Sequence, residues 1–344
     1  MKSKVAESLL MALAVCGLMV TECKKESGIS TSLPTAQTQQ VQNSVAQDAV
    51  ADKNDQDIDN TLDQLQVSNY STTAIKSAQV VVSREITVDH PDSTTFPKSI
   101  TIVYNNFQDS TATESFVKNG EIDVTVSLNS GNKQMVTRTM TFKDYSVTTD
   151  STTVTIRGTR TVQRTALTYK FNGLTSLRLV VTDIITADLS YVITQTGTTD
   201  SIKFTRVVSK IRQAFAHYTN LGGLTWASIN FKNVPAEDTI TYSGTVTGVN
   251  EDSEDYTKSI GTSNPLVFIF YKGTPVISSG TMYLTVNSTS TDFTGTGTSP
   301  ESFLFTYRED PDHPHMTLVT VTNQQTMKTY SFDRRFSRKL VKRW

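Results

Sequence analysis

The chain has almost no cysteine. Its 344 residues include two, Cys16 and Cys23, so nothing downstream of residue 23 can be stapled by a disulfide. Stability there has to come from burial, and about 270 residues are enough to build a core without staples. An excess of one charge is missing too: 32 Lys and Arg against 33 Asp and Glu leave a formal net charge of -1. No basic stripe interleaved with aromatics runs along the chain, and these two features together exclude nucleic acid as a partner. The main apolar run, residues 8–20, is 13 residues long, short of the roughly 20 a membrane-crossing helix needs. Gly-x-Ser-x-Gly, His-Glu-x-x-His and phosphate-cradling glycine loops are all absent, so no common hydrolase, zinc-protease or nucleotide signature is present.

What is present begins at the N-terminus. Lys2 and Lys4 precede the apolar run, and Thr21, Glu22 and Cys23 follow it directly, which is a signal-peptide pattern. With Lys24-Lys25-Glu26 behind it, Cys23 resembles the lipid-attachment cysteine of a bacterial lipoprotein, residues 1–22 being the leader. Glu22 stands where such leaders usually carry a small residue, so cleavage elsewhere, releasing a secreted protein, is the competing reading. Residues 23–75 read as a flexible stalk, because the Ser, Thr, Gln, Asn, Asp and Ala of residues 27–56 cannot bury enough surface to offset ordering. Aspartate recurs between residues 48 and 63, and Ile58, Leu62 and Leu65 fall at the spacing of one short amphipathic helix.

From Ala78 the period becomes two. Ile122, Val124, Val126 and Leu128 alternate with Glu121, Asp123, Thr125 and Ser127, as on a strand with one buried and one wet face. Ile100 and Ile102, Val136 and Met140, Val154 and Ile156, Phe204 and Val208, Leu284 and Val286, and Phe303 and Phe305 repeat the pattern. The outward positions are heavily threonine, which suits a pleated, half-wet surface. Asn119-Gly120, Asn172-Gly173 and Ser130-Gly131-Asn132 read as hairpin turns. Pro97 and Pro265 stand at strand starts, and residues 266–271, apolar on both faces, read as the most buried strand. The expected fold is all-β: about a dozen or more antiparallel strands in sequential hairpins, forming large twisted sheets or a sandwich. Residues 76–220 and 221–344 form either two β units or one continuous domain.

Phe96-Pro97-Lys98-Ser99-Ile100-Thr101-Ile102, Lys118-Asn119-Gly120-Glu121-Ile122 and Gly158-Thr159-Arg160-Thr161-Val162 resemble a family of uncharacterised, Thr-rich exported lipoproteins of the Bacteroidota. Tyr242-Ser243-Gly244-Thr245, Pro265-Leu266-Val267 and Ser279-Gly280-Thr281 are similar to that family's later strand openings. The resemblance implies an outer-membrane lipoprotein held through Cys23, on the periplasmic or the surface face, and says nothing about chemistry; the lack of site motifs leads to the expectation of no cofactor and no catalytic role, with a hydrolase as an alternative. The resemblance leaves three partners open: an envelope protein, a hydrophobic ligand on a curved sheet, or a glycan. Trp226 and Tyr218 are the local aromatic pair available for the last.

Five Asp-Ser or Asp-Thr steps place Ser93, Ser110, Ser151, Ser201 and Thr239 between expected strands, where they resemble O-glycosylation acceptors of exported Bacteroidota proteins. The same steps also make good turns. In Glu309-Asp310-Pro311-Asp312-His313-Pro314-His315, the histidines His313 and His315 are weak metal candidates, and an exposed loop is the plainer reading. Residues 250–255 (NEDSED) lack the order of a calcium loop and read as a solvated acidic turn. His217 is expected to pack or to bond a backbone carbonyl. The basic C-terminus, ending in Trp344, carries charge on both strand parities, unlike a lipid-facing barrel strand.

Overall fold

A computed structural model describes residues 41, 44, 48, 84–89, 95–110, 115–129, 132–149, 152–172, 176–195, 201–218, 239–271, 274–287, 300–313 and 316–334. From residue 84 onward the strands among them form one antiparallel sheet of 14 strands. In chain order they are β1 (Arg84–Val88), β2 (Lys98–Ser110), β3 (Ser115–Asn129), β4 (Asn132–Thr148), β5 (Thr152–Asn172), β6 (Ser176–Gln195) and β7 (Ser201–Tyr218). Then come β8 (Thr239–Val249), β9 (Asp255–Ile260), β10 (Leu266–Tyr271), β11 (Thr274–Asn287), β12 (Glu301–Glu309), β13 (Thr317–Asn323) and β14 (Thr329–Arg334). The expected all-β architecture of sequential hairpins is what forms, as a single sheet.

Nearly every strand pairs with the next in sequence, and the one exception is a strand cut in two. β9 and β10 both lie between β8 and β11: Gly244 to Val249 of β8 face β9, while Thr239 to Tyr242 face β10. Residues 261–265 interrupt what is otherwise one run. β7 pairs with β8 through Val207↔Thr247 to Phe215↔Thr239, so the two expected β units share one sheet.

One row of paired residues crosses almost the whole sheet: Ile100, Val124, Met140, Arg160, Ala187, Val208, Val246, Lys258, Leu284, Phe303 and Asn323. Directly opposed residues point to the same side, so this row defines an inner face. Its apolar members belong to two clusters. Ile86, Ile100, Ile122, Met140, Tyr145, Ile156, Tyr191 and Phe204 anchor the first. Val246, Tyr256, Leu284, Phe303, Phe305 and Val321 anchor the second, and the half-buried Val208 packs against both. Threonines such as Thr101, Thr125, Thr139 and Thr161 take the opposite face, as the alternation predicts, while the inner face also carries charged residues such as Arg160 and Lys258.

Several expectations are corrected. Asn119-Gly120 is not a hairpin turn but lies inside β3, where Gly120 has φ +94 and a Cβ would sit 2.2 Å from the Asp144 carbonyl oxygen. Ser279-Gly280 likewise lies within β11, with φ +123 and a virtual Cβ 2.3 Å from the Pro265 carbonyl oxygen. Glycine is required at both places because the neighbouring backbone occupies the volume of a side chain. Motifs that resemble strand openings are thus crimps within longer strands. Pro97 and Pro265 do immediately precede β2 and β10. β10 is not the most buried strand: Leu266 is buried, but Val267, Phe268 and Ile269 are half-buried, because the short strand occupies only one end of its slot.

Candidate functional site

The densest chemistry in the described residues lies where the sequence alternation places apolar side chains. Val136, Arg138 and Met140 share one parity of β4; Val162 and Arg164 share one of β5; and Phe204, Arg206 and Val208 share one of β7. Alternation alone therefore turns these guanidinium groups inward. Arg138, Arg160, Arg164, Arg206 and Lys258 are all 6% exposed or less. Cations this deep require anionic or polar partners, and two carboxylates supply much of that need.

The first is Asp183 on β6, 1% exposed. Register sets Arg164, Asp183 and Arg212 side by side on β5, β6 and β7. Arg164 Nε lies 3.1 Å from Asp183 Oδ1, and Arg212 Nη2 lies 2.5 Å from Oδ2. Burial pushes the Asp183 carboxyl up, but Arg212, Arg164 and Arg138 outweigh it and hold the group below the usual carboxylate range.

The second carboxylate is not on the sheet. Val41, Ser44 and Asp48 are helical, and their spacing of three and four puts them on one helix face. Val41 is 0% exposed and belongs to the second core cluster. Asp48 Oδ1 lies 2.8 Å from Lys258 Nζ and 3.3 Å from Arg206 Nη2, and Lys258 Nζ also donates to the Ser44 carbonyl at 3.1 Å. Burial again raises the Asp48 carboxyl, while Lys258, Arg206 and Lys210 together lower it to about 2. Burial and Arg206 push the Lys258 ammonium down, against the pull of Asp48. Its charged end also lies 5.4 Å from the Tyr256 ring centre, close enough for a cation–π contact.

The arrangement is an electrostatic clasp that ties a segment near the N-terminus to strands more than 150 residues away. Within the stretch expected to be a stalk, these three residues are packed against the sheet. The expected helix around Ile58, Leu62 and Leu65 lies outside the described residues.

The other candidates are dispersed. Cys23, Ser93, Ser151, His315, Trp226 and the C-terminal residues 335–344 lie outside the described residues. Ser110, Ser201 and Thr239 are terminal residues of β2, β7 and β8 rather than parts of connections, and the residue at Ser201 is exposed. His313 Nδ1 lies 2.7 Å from Asp310 Oδ2 in a turn closed by the Met316 N–H bond to the His313 carbonyl at 2.8 Å. No group of three or more metal-binding side chains occurs among the described residues. The acidic turn forms with Asp252, Ser253 and Asp255 exposed, as expected, but two of its residues, Asn250 and Glu254, are buried beneath it. Asn250 Oδ1 accepts from the Asp252 and Glu254 N–H groups at 3.0 and 2.9 Å, and Glu254 is 3% exposed. His217 lies on β7, half-buried, opposite Arg178.

The recurring aspartates stand out in the sequence, whereas the inner arginines do not. Their signal was present: a basic residue at the parity of its apolar neighbours, which places a charge in the core. Compared with protein-family models, with curated proteins and with solved structures, the chain matches none.

Proposed function

We propose that this chain is an exported, lipid-anchored envelope protein whose β sheet serves as a non-enzymatic scaffold for interaction. The observation that carries this reading is the occupancy of the inner face. Ile100, Ile122, Met140, Phe303, Phe305 and Val321 are at most 1% exposed, so almost none of their surface is left for a ligand to cover. A carrier of a hydrophobic ligand needs an apolar cavity of about several hundred Å³, whereas this face is packed by the chain's own side chains, Val41 included.

The charged groups support the same reading. Asp48 and Asp183 are both held below the ordinary carboxylate range, so each stays ionised near neutrality and has no proton to give. General acid–base catalysis works best with a group whose pKa lies near the working pH. These carboxylates instead serve to join segments.

Native mass spectrometry of the purified protein tests the scaffold against the carrier: a mass equal to the polypeptide plus any acyl modification is expected, and a copurifying lipid or other apolar ligand refutes it. For the anchor, a Cys23→Ala chain should leave the membrane fraction and lose the acyl mass. Undiminished membrane association together with an unmodified wild-type mass overturns lipidation. Protease accessibility in intact cells then separates the periplasmic from the surface face.

A further inference from the structure

Among the described residues, the three longest strands run past their neighbours. The register between β4 and β5 stops at Thr137↔Gln163, and β8 begins at Thr239, opposite Phe215 of β7. Beyond those points β5, β6 and β7 continue as a three-stranded tongue, paired from Ala166↔Thr182 to Asn172↔Ser176 on one side and to Leu177↔Tyr218 on the other.

The tongue has two unlike faces. On the inner parity Tyr169 faces Leu179 and Phe171 faces Leu177. The two leucines are 2% exposed, but Tyr169 and Phe171 are 51% and 52% exposed, with their rings edge to face at 5.9 Å. On the other parity, register aligns Lys170, Arg178 and His217 across the three strands. Lys170 and Arg178 are both exposed. Phe215, 37% exposed, follows on this face opposite Val180.

We propose that this tongue is a membrane-contact element that seats its aromatic tip among the headgroups of an anionic lipid surface. Aromatic rings partition to the boundary between water and hydrocarbon. Basic side chains on the opposite face have long apolar stems that let their charges reach the phosphates. A strand ribbon with rings on one side and cations on the other offers both attractions at one end of the sheet. A protein partner with an acidic apolar groove would offer the same complementarity, but the placement of both features at the extreme of the longest strands favours an extended surface. The inference goes beyond the scaffold reading and needs no lipid on Cys23, so the two stand or fall separately.

The test uses the chain from Lys24 onward, without acylation, in cosedimentation with phosphatidylglycerol-rich vesicles and with neutral phosphatidylcholine vesicles. Binding to the anionic vesicles that weakens at high salt is expected. K170Q/R178Q should reduce it by about thirtyfold, the effect of losing two surface cations near an anionic membrane. Y169S/F171S should reduce it by at least about tenfold. Lys143→Glu, on an exposed residue of β4, should leave it unchanged, and circular dichroism confirms that each variant keeps its strands. Absence of vesicle binding, or equal binding by the tongue variants, overturns the proposal.

Discussion

Replacing Asp48 with Asn should release the segment around Val41 from the sheet. In the native chain its carboxyl is held at about 2, against an ordinary 3.8. At about 1.4 kcal/mol per pH unit, that gap corresponds to about 2.5 kcal/mol. Asparagine keeps the shape but removes the charge, leaving Lys258, 2% exposed, beside Arg206. Breaking a buried pair in this way typically costs about 3–5 kcal/mol. Here Lys258 can shed its proton, since burial already lowers its pKa, so the expected loss is about 2–3 kcal/mol. Lys258→Met alone should cost a similar amount by stranding Asp48. The double variant, with methionine among Val246, Tyr256 and Leu284, should recover most of either loss. Urea denaturation of the four proteins closes the cycle, and limited proteolysis ahead of Arg84 reports on the segment separately. The pH dependence has a fixed sign. The folded pKa of Asp48 lies below its unfolded value, so its stabilisation is complete above about pH 4 and is lost as the pH falls toward 2. Asp48→Asn should flatten that part of the profile, though Asp183 titrates in the same direction and leaves a residual slope. A coupling energy under about 0.5 kcal/mol refutes the clasp.

Three further outcomes test the packing. Gly280→Ala puts a Cβ against Pro265 at a positive φ and should cost at least about 1–3 kcal/mol, measured by chemical denaturation. Phe305→Ala removes a ring that is 0% exposed and should cost about 3–5 kcal/mol, seen as a lower denaturation midpoint. Thr317, also 0% exposed, accepts the Ile277 N–H at 2.9 Å and donates to the Ile277 carbonyl at 3.2 Å. Thr317→Val strands both groups and should cost about 1–3 kcal/mol, with faster hydrogen exchange at the Ile277 amide.

The strands were legible because alternation is a local signal. Ile122, Val124 and Val126 announce their face within a few residues, and the structure buries all three. Gly120 misled because Asn-Gly is also the commonest hairpin turn, and whether a glycine turns the chain or crimps it depends on a neighbouring strand, here β4, that the local sequence does not name. β10 misled because an apolar run reports what could be buried, while its place in a slot shared with β9 decides what is. The clasp was hidden by distance. Nothing near Asp48 predicts Lys258, 210 positions away, and only the register that brings β7 and β9 to either side of β8 gathers its cations.

The clasp also sets a length scale. A lipid on Cys23, as proposed, is separated by 18 residues from Val41 but by 61 from Arg84, the first strand residue described. At full extension these lengths span about 60–65 Å and about 200–220 Å. With Val41, Ser44 and Asp48 seated on the sheet, the shorter span is the leash, and the domain stays within about 65 Å of its bilayer. Releasing Val41, Ser44 and Asp48 together would raise that upper bound roughly threefold, exchanging a domain confined near its own membrane for one able to reach across an intervening layer.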